Sequence, residues 1–174
     1  WAHYGEPVPV PEERITEVGD GDVVDLGDRA LDVHHAPGHA PHQVVFHDAS
    51  AEIVYTADAA GIYVPETGAV EPTTPPPNFD LEDCLDDVET IRGLEPEVLC
   101  YYHYGPAAAA GQLDEYERTL VEWVDAIEHK RAALGDAEAV IDHFVAESDL
   151  TSAWDAEAVR PEITMNVRGV LHYL

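Results

Sequence analysis

The sequence predicts a layered α/β fold, one half of an α/β sandwich, on three observations. Four short apolar strands follow one another between Val23 and Thr56. A helix and one further strand come next, between Asn78 and Tyr101. From Gln112 onward apolar residues recur at helical spacing. That order is one of layered sheet and helix, with too few strands to close a two-sheet core alone.

Residues 1–21, rich in Pro, Glu and Gly, read as an extended lead-in. Val23–Leu26 is a strand closed by the turn Gly27-Asp28, and Leu31–His35 is a second, stopped by the loop signal Pro37-Gly38. Gln43–His47 carries Val44, Val45 and Phe46; after a turn at Asp48–Glu52, Ile53–Thr56 completes an antiparallel meander. Gly61–Asn78, with Pro72 and Pro75-Pro76-Pro77, is expected to be a long irregular loop bordering a substrate pocket. Asn78 or Asp80 caps a helix to Arg92 with Leu81, Cys84, Leu85, Val88 and Ile91 on one face, ended by Gly93. Val98–Tyr101 is expected to be the last strand, and Ala107–Ala110 a helix start. Leu113, Tyr116, Leu120, Val124 and Ile127 mark a long helix to Leu134-Gly135. Val140, Ile141, Phe144 and Val145 mark a shorter one, and a final helix is entered near Pro161. These helices pack on the core, with a substrate-covering cap or a dimer surface as the other uses for them.

The chain has 174 residues, 45% hydrophobic, which suits one globular domain. No apolar run approaches about 18 residues and no leader pattern is visible, so a cytoplasmic protein that does not engage a membrane is expected. A chain opening on Trp1 reads as part of a longer protein. Asp plus Glu number 36 against 8 Lys plus Arg, a net charge of −28, and Lys130 is the sole lysine. The acids are dispersed over every segment. At molar salt the Debye length shrinks to about 3 Å and the self-repulsion is screened, so the composition predicts a haloadapted surface, with an acidic protein that binds basic partners as the rival reading. With no basic patch, a nucleic-acid partner is not expected. Cys84 and Cys100 lie far apart and read as reduced thiols.

Five of the ten histidines fall between His34 and His47. Three segments place a metal-ligand type beside a predicted strand: Ala36-Pro37-Gly38-His39-Ala40-Pro41-His42-Gln43, Tyr55-Thr56-Ala57-Asp58, and Cys100-Tyr101-Tyr102-His103-Tyr104-Gly105-Pro106. A loop at a strand end aims a side chain over the sheet edge. Imidazole suits zinc or iron, and a carboxylate bridges two cations. The bland alternatives are a loop histidine, a turn acid and an aromatic core cluster. His42 is a candidate to hydrogen-bond a ligand or substrate, and Tyr104 to donate to an oxyanion. His34, His35 and His47 read as structural or exposed.

The order Pro-Gly-His, strand-Asp, strand-His resembles the metallo-β-lactamase superfamily, glyoxalase II-like hydrolases among it, over residues 22–106. The resemblance implies the C-terminal half of a four-layer αββα sandwich: residues 1–106 in the core and 107–174 a helical extension packed on it. It implies that His39 binds a first metal, His103 a second, and Asp58 bridges both as the catalytic carboxylate. The cofactor implied is a pair of divalent transition metals, zinc first, iron or manganese otherwise, activating water against a thioester or other acyl ester. Ala57 stands where family members carry glycine. The family's His-x-His-x-Asp-His loop has no counterpart here, so the site is expected to be incomplete without an N-terminal half of the same protein, and the isolated chain inactive. A small-molecule substrate and a homodimer are the remaining expected partners. The competing expectations are a non-catalytic remnant or interaction domain, and an iron-dependent sulfur oxygenase of the same fold.

Overall fold

In the computed structural model, which describes residues 6–148 and 156–174, the expected meander is present. The first five residues of the lead-in lie outside the described residues. Strands β1 (Val23–Asp25), β2 (Ala30–His35), β3 (Val44–Asp48) and β4 (Ile53–Ala57) pair antiparallel in sequence. The turn after β3 is built on Asp48, whose buried carboxylate accepts from the Ser50 hydroxyl at 2.6 Å, from two backbone N–H groups and from Arg29. The Ser50 hydroxyl above all, with Arg29 behind it, holds this carboxyl below the usual range against the opposing effect of burial.

The stretch expected to be an irregular loop contains a hairpin. Strands β5 (Ile62–Val64) and β6 (Ala69–Glu71) pair around a turn at Gly68, whose φ of 72° glycine adopts freely. Its alternation, with Ile62, Val64 and Val70 buried, is short and is masked in the sequence by the prolines that follow. Asp80, rather than Asn78, caps α1 (Leu81–Gly93) by accepting from the Asp83 N–H at 3.1 Å.

Helix α1 crosses over to β7 (Val98–Tyr101), which pairs parallel with β4. Strand β7 is not the last: β8 (Gly105–Ala108) pairs with it at the sheet edge, where Pro106 is tolerated. The alanine run from Ala107 is therefore strand at its start, because the open hydrogen-bonding edge of β7 outweighs alanine's helix propensity. The expected boundary between residues 106 and 107 cuts this strand. Helices begin at α2 (Gln112–Leu134), followed by α3 (Ala137–Glu147) and α4 (Ala156–Tyr173), which starts ahead of Pro161 and carries it inside. None of the described helices is long and apolar enough to cross a membrane.

The six-stranded sheet runs β1-β2-β3-β4-β7-β8. Register puts Val45, Val54, Thr56, Leu99 and Tyr101 on one face, buried in or beside a core completed by Cys84, Val88 and Ile91 of α1 and Tyr116, Leu120 and Val124 of α2. Leu31, Val33, Val44, Phe46, Ile53, Tyr55, Val98 and Cys100 share the other face, where Val33 is fully buried and the rest are only partly covered. Strands apolar on both faces are those of a sheet built to be covered on both sides.

Candidate metal centre

Strands β2 and β4 both run antiparallel to β3, and β7 runs parallel to β4. The three therefore point the same way and finish at one sheet edge, the place where α/β folds gather functional loops. His39 follows β2, Asp58 directly follows β4 and His103 follows β7. A register shift between Tyr55 and Ala57, with Ala57 at φ 48°, ends β4 and redirects the chain into Asp58.

These three side chains come together. His39 Nε2 stands 3.7 Å from Asp58 Oδ2, and His103 Nε2 stands 3.5 Å from Asp58 Oδ1. Each imidazole thus addresses a different oxygen of one carboxylate. Both separations exceed a hydrogen bond. Asp58 Oδ1 is buried with no hydrogen-bond partner, a state that costs about 1–3 kcal/mol, more for a charged group. Two donors on one zinc, each at about 2.0–2.2 Å, stand roughly 3–4 Å apart, so the gaps and the orphaned oxygen fit a cation beside each imidazole. Among the described residues no group of three or more His, Cys, Asp or Glu is gathered as a set for a single ion. The arrangement is one imidazole and one shared carboxylate per position.

His39 is held from two sides. Its Nδ1 lies 3.3 Å from the Thr73 carbonyl oxygen. A carbonyl only accepts, so Nδ1 carries the proton and the Nε2 lone pair is left facing Asp58. The neighbouring Gly38 donates its N–H to Asp87 Oδ2 at 2.8 Å and accepts from the Asp80 N–H at 3.0 Å, tying the loop to the start of α1. Asp87 was not singled out in the sequence; its signal is a carboxylate set in the buried stripe Cys84, Val88, Ile91. It is 3% exposed, and burial raises its carboxyl from 3.8 to about 6, opposed by the Gly38 N–H.

That displacement gives a pH dependence with a definite sign. The folded chain holds the Asp87 proton more tightly than the unfolded chain, so the contribution of this group to stability is fully present below about pH 3.8 and is lost as pH climbs through about 6. Asp87→Asn keeps an acceptor for Gly38 without the buried charge. In urea unfolding it is expected to match the parent at pH 4 and to exceed it by up to about 3 kcal/mol at pH 7. An equal difference at both pH values would refute this. At pH 4, where no buried charge is relieved, Asp87→Ala, which strands the Gly38 N–H, is expected to lose about 1–3 kcal/mol.

The remaining candidates sit further out. His42 is exposed and forms none of the hydrogen bonds or ion pairs found among the described residues, so nothing joins it to the site. Tyr104, at φ 67°, is 58% exposed beside His103, with Tyr102 at 76% on the other flank. These two rings are exposed rather than packed in a core, which removes the aromatic-core alternative for His103.

A family model described as the metallo-beta-lactamase superfamily matches residues 1–103, a span that includes His39, Asp58 and His103. ST1585 of Sulfurisphaera tokodaii, a metallo-beta-lactamase fold-containing protein, is 32% identical over 106 residues, 60% of this chain and 38% of that protein. A crystal structure of ST1585 from Sulfolobus tokodaii superposes with a TM-score of 0.62 at 22% identity, over 95% of this chain and 55% of that one. The hydroxyacylglutathione hydrolase of Erythrobacter litoralis is 30% identical over 118 residues, 66% of this chain and 44% of that protein. The acyl-coenzyme A thioesterase MBLAC2 of Gallus gallus is 39% identical over 56 residues, 32% and 19% of the two chains. The chain spans less than half the length of these curated relatives.

Proposed function

The chain belongs to the metallo-β-lactamase superfamily, and from that premise we propose that it forms part of a metal-dependent hydrolase of thioesters or other acyl esters. The observation that carries the reading is the single carboxylate, Asp58, turned with one oxygen towards His39 and the other towards His103. Support for the acyl substrate comes from relatives named as an acyl-coenzyme A thioesterase and a hydroxyacylglutathione hydrolase.

In this reading His39 and Asp58 hold one divalent cation, and His103 and Asp58 a second. Bound there, the cations supply Lewis acidity, acidifying water and polarising the scissile carbonyl. The chain's own residues prepare that chemistry. Asp58 supplies negative charge between the two positions. Thr73 fixes the tautomer that leaves the His39 Nε2 lone pair free. Tyr104, exposed beside His103, is the candidate to donate its hydroxyl proton to a developing oxyanion. Two donors per position is fewer than the three or four of a tight zinc site, so we place the remaining donors in parts of the protein outside this stretch.

The test is metal content and thiol release, at low and at molar salt, on an acyl-coenzyme A and a hydroxyacylglutathione. We expect at least one transition metal per chain, release more than about 10³-fold above background, and loss of both on chelation. Less than one metal per chain in zinc-equilibrated full-length protein, with no thiol release, sinks the hydrolase reading and leaves a non-catalytic domain.

A further inference from the structure

We infer that Asn166, on the C-terminal helix α4, is a positioning residue for His39. The inference rests on the proposed role of His39 as a metal ligand, but its structural part stands by itself. The carbonyl that fixes the His39 ring belongs to Thr73, and its neighbour Thr74 is gripped by α4. The Thr74 N–H donates to Asn166 Oδ1 at 2.6 Å, and the Thr74 hydroxyl donates to the Asn166 carbonyl oxygen at 2.9 Å. Trp123 of α2 adds its indole N–H on the Thr74 hydroxyl oxygen at 3.3 Å. Thr73, Thr74 and Asn166 are all buried, at 4%, 0% and 4% exposure.

A residue lacking any reason to be polar here would be apolar. Asn166 instead spends both ends of its amide: the oxygen takes the Thr74 N–H, and Nδ2 donates to Glu162 Oε1 at 3.0 Å. Gly169, one turn on, completes the seat, since a Cβ there would come within 1.7 Å of the Thr74 carbonyl oxygen. The 72–75 segment is thus pressed against α4 at a point where no side chain beyond hydrogen fits. The orientation of Thr73 follows from how Thr74 is held, and the His39 tautomer follows from Thr73. The helical C-terminus therefore sets the geometry of a residue at the far end of the fold's sequence.

The experiment uses protein labelled with ¹⁵N-histidine, metal-free and at mildly alkaline pH, with long-range ¹H–¹⁵N correlation reporting which ring nitrogen of His39 is protonated. The unaltered protein is expected to show the Nδ1–H form. Asn166→Leu, which removes the acceptor, is expected to mix the tautomers and to weaken zinc binding about 10–100-fold, whereas Asn166→Asp combined with Glu162→Gln, which keeps the acceptor for Thr74 and reverses the donor between positions 162 and 166, holds the tautomer and stays within about threefold. Gly169→Ala, which pushes Thr74 away without removing a hydrogen-bonding group, is expected to behave like Asn166→Leu. The Nε2–H form in the unaltered protein overturns the inference, whether or not the variants fold. So does equal behaviour of Asn166→Leu and the double variant, which a packing role alone predicts. If the unaltered protein takes up no zinc, the proposed function fails while the tautomer pattern still decides the inference.

Discussion

Asp58→Asn is expected to lower kcat/KM on the responsive acyl substrate by at least about 10³-fold, a loss near 4 kcal/mol of transition-state stabilisation. The change is close to isosteric, but it removes the charge and turns one of the two oxygens into an amide nitrogen that cannot take a cation. Both imidazoles face that group, at 3.7 and 3.5 Å, so one substitution disables both positions at once. The fold is not expected to suffer. Asp58 Oδ1 is buried without a partner, so no hydrogen bond is lost and the metal-free variant should be at least as stable to unfolding as the parent. Stopped-flow thiol release, metal analysis and urea unfolding on the same preparation check this. A variant that keeps its activity within tenfold, with its metal bound, removes Asp58 from the chemistry.

The second large effect comes from a single methyl group. Gly38→Ala is expected to cost at least about 3 kcal/mol of stability and to disrupt the site together with the fold. A Cβ at Gly38 would lie 2.3 Å from the Cys84 backbone nitrogen, 2.5 Å from the Cys84 Cα and 2.7 Å from the Asp83 carbonyl carbon. All three are backbone atoms of α1 and no side chain can turn aside. Helix and loop must separate, which breaks the Gly38 N–H bond to Asp87 and the Asp80 N–H bond to the Gly38 carbonyl. Each buried bond lost costs about 1–3 kcal/mol where a group is left unsatisfied. Thermal unfolding measures the stability loss, and the His39 ring signals report whether the loop has moved. A melting temperature unchanged within a degree would contradict the close packing.

The positions of strands and helices were legible because alternation and helical spacing are local properties. The meander from Val23 and the helix capped by Asp80 came through with only end residues changed. What was missed was decided non-locally. The hairpin at Ile62–Glu71 is three residues to a strand, too short for a pattern beside so many prolines. Strand β8 exists because β7 offers it an edge, and nothing in Gly105–Ala108 by itself asks for a strand.

At the site, the sequence by itself determined the candidate donors of the proposed centre: His39, Asp58 and His103 are the right residue types, each just past a strand end. Their convergence required that β2, β4 and β7 run in the same direction, which is a property of strand pairing. Only the tertiary structure decided which Asp58 oxygen each imidazole faces, and that Asp87 and Asn166 support His39 from 48 and 127 residues away. The physical reason is that a buried hydrogen bond depends on what packing brings within about 3 Å. Residue identity shows that an asparagine or aspartate can make such a bond; the fold alone selects the group that receives it.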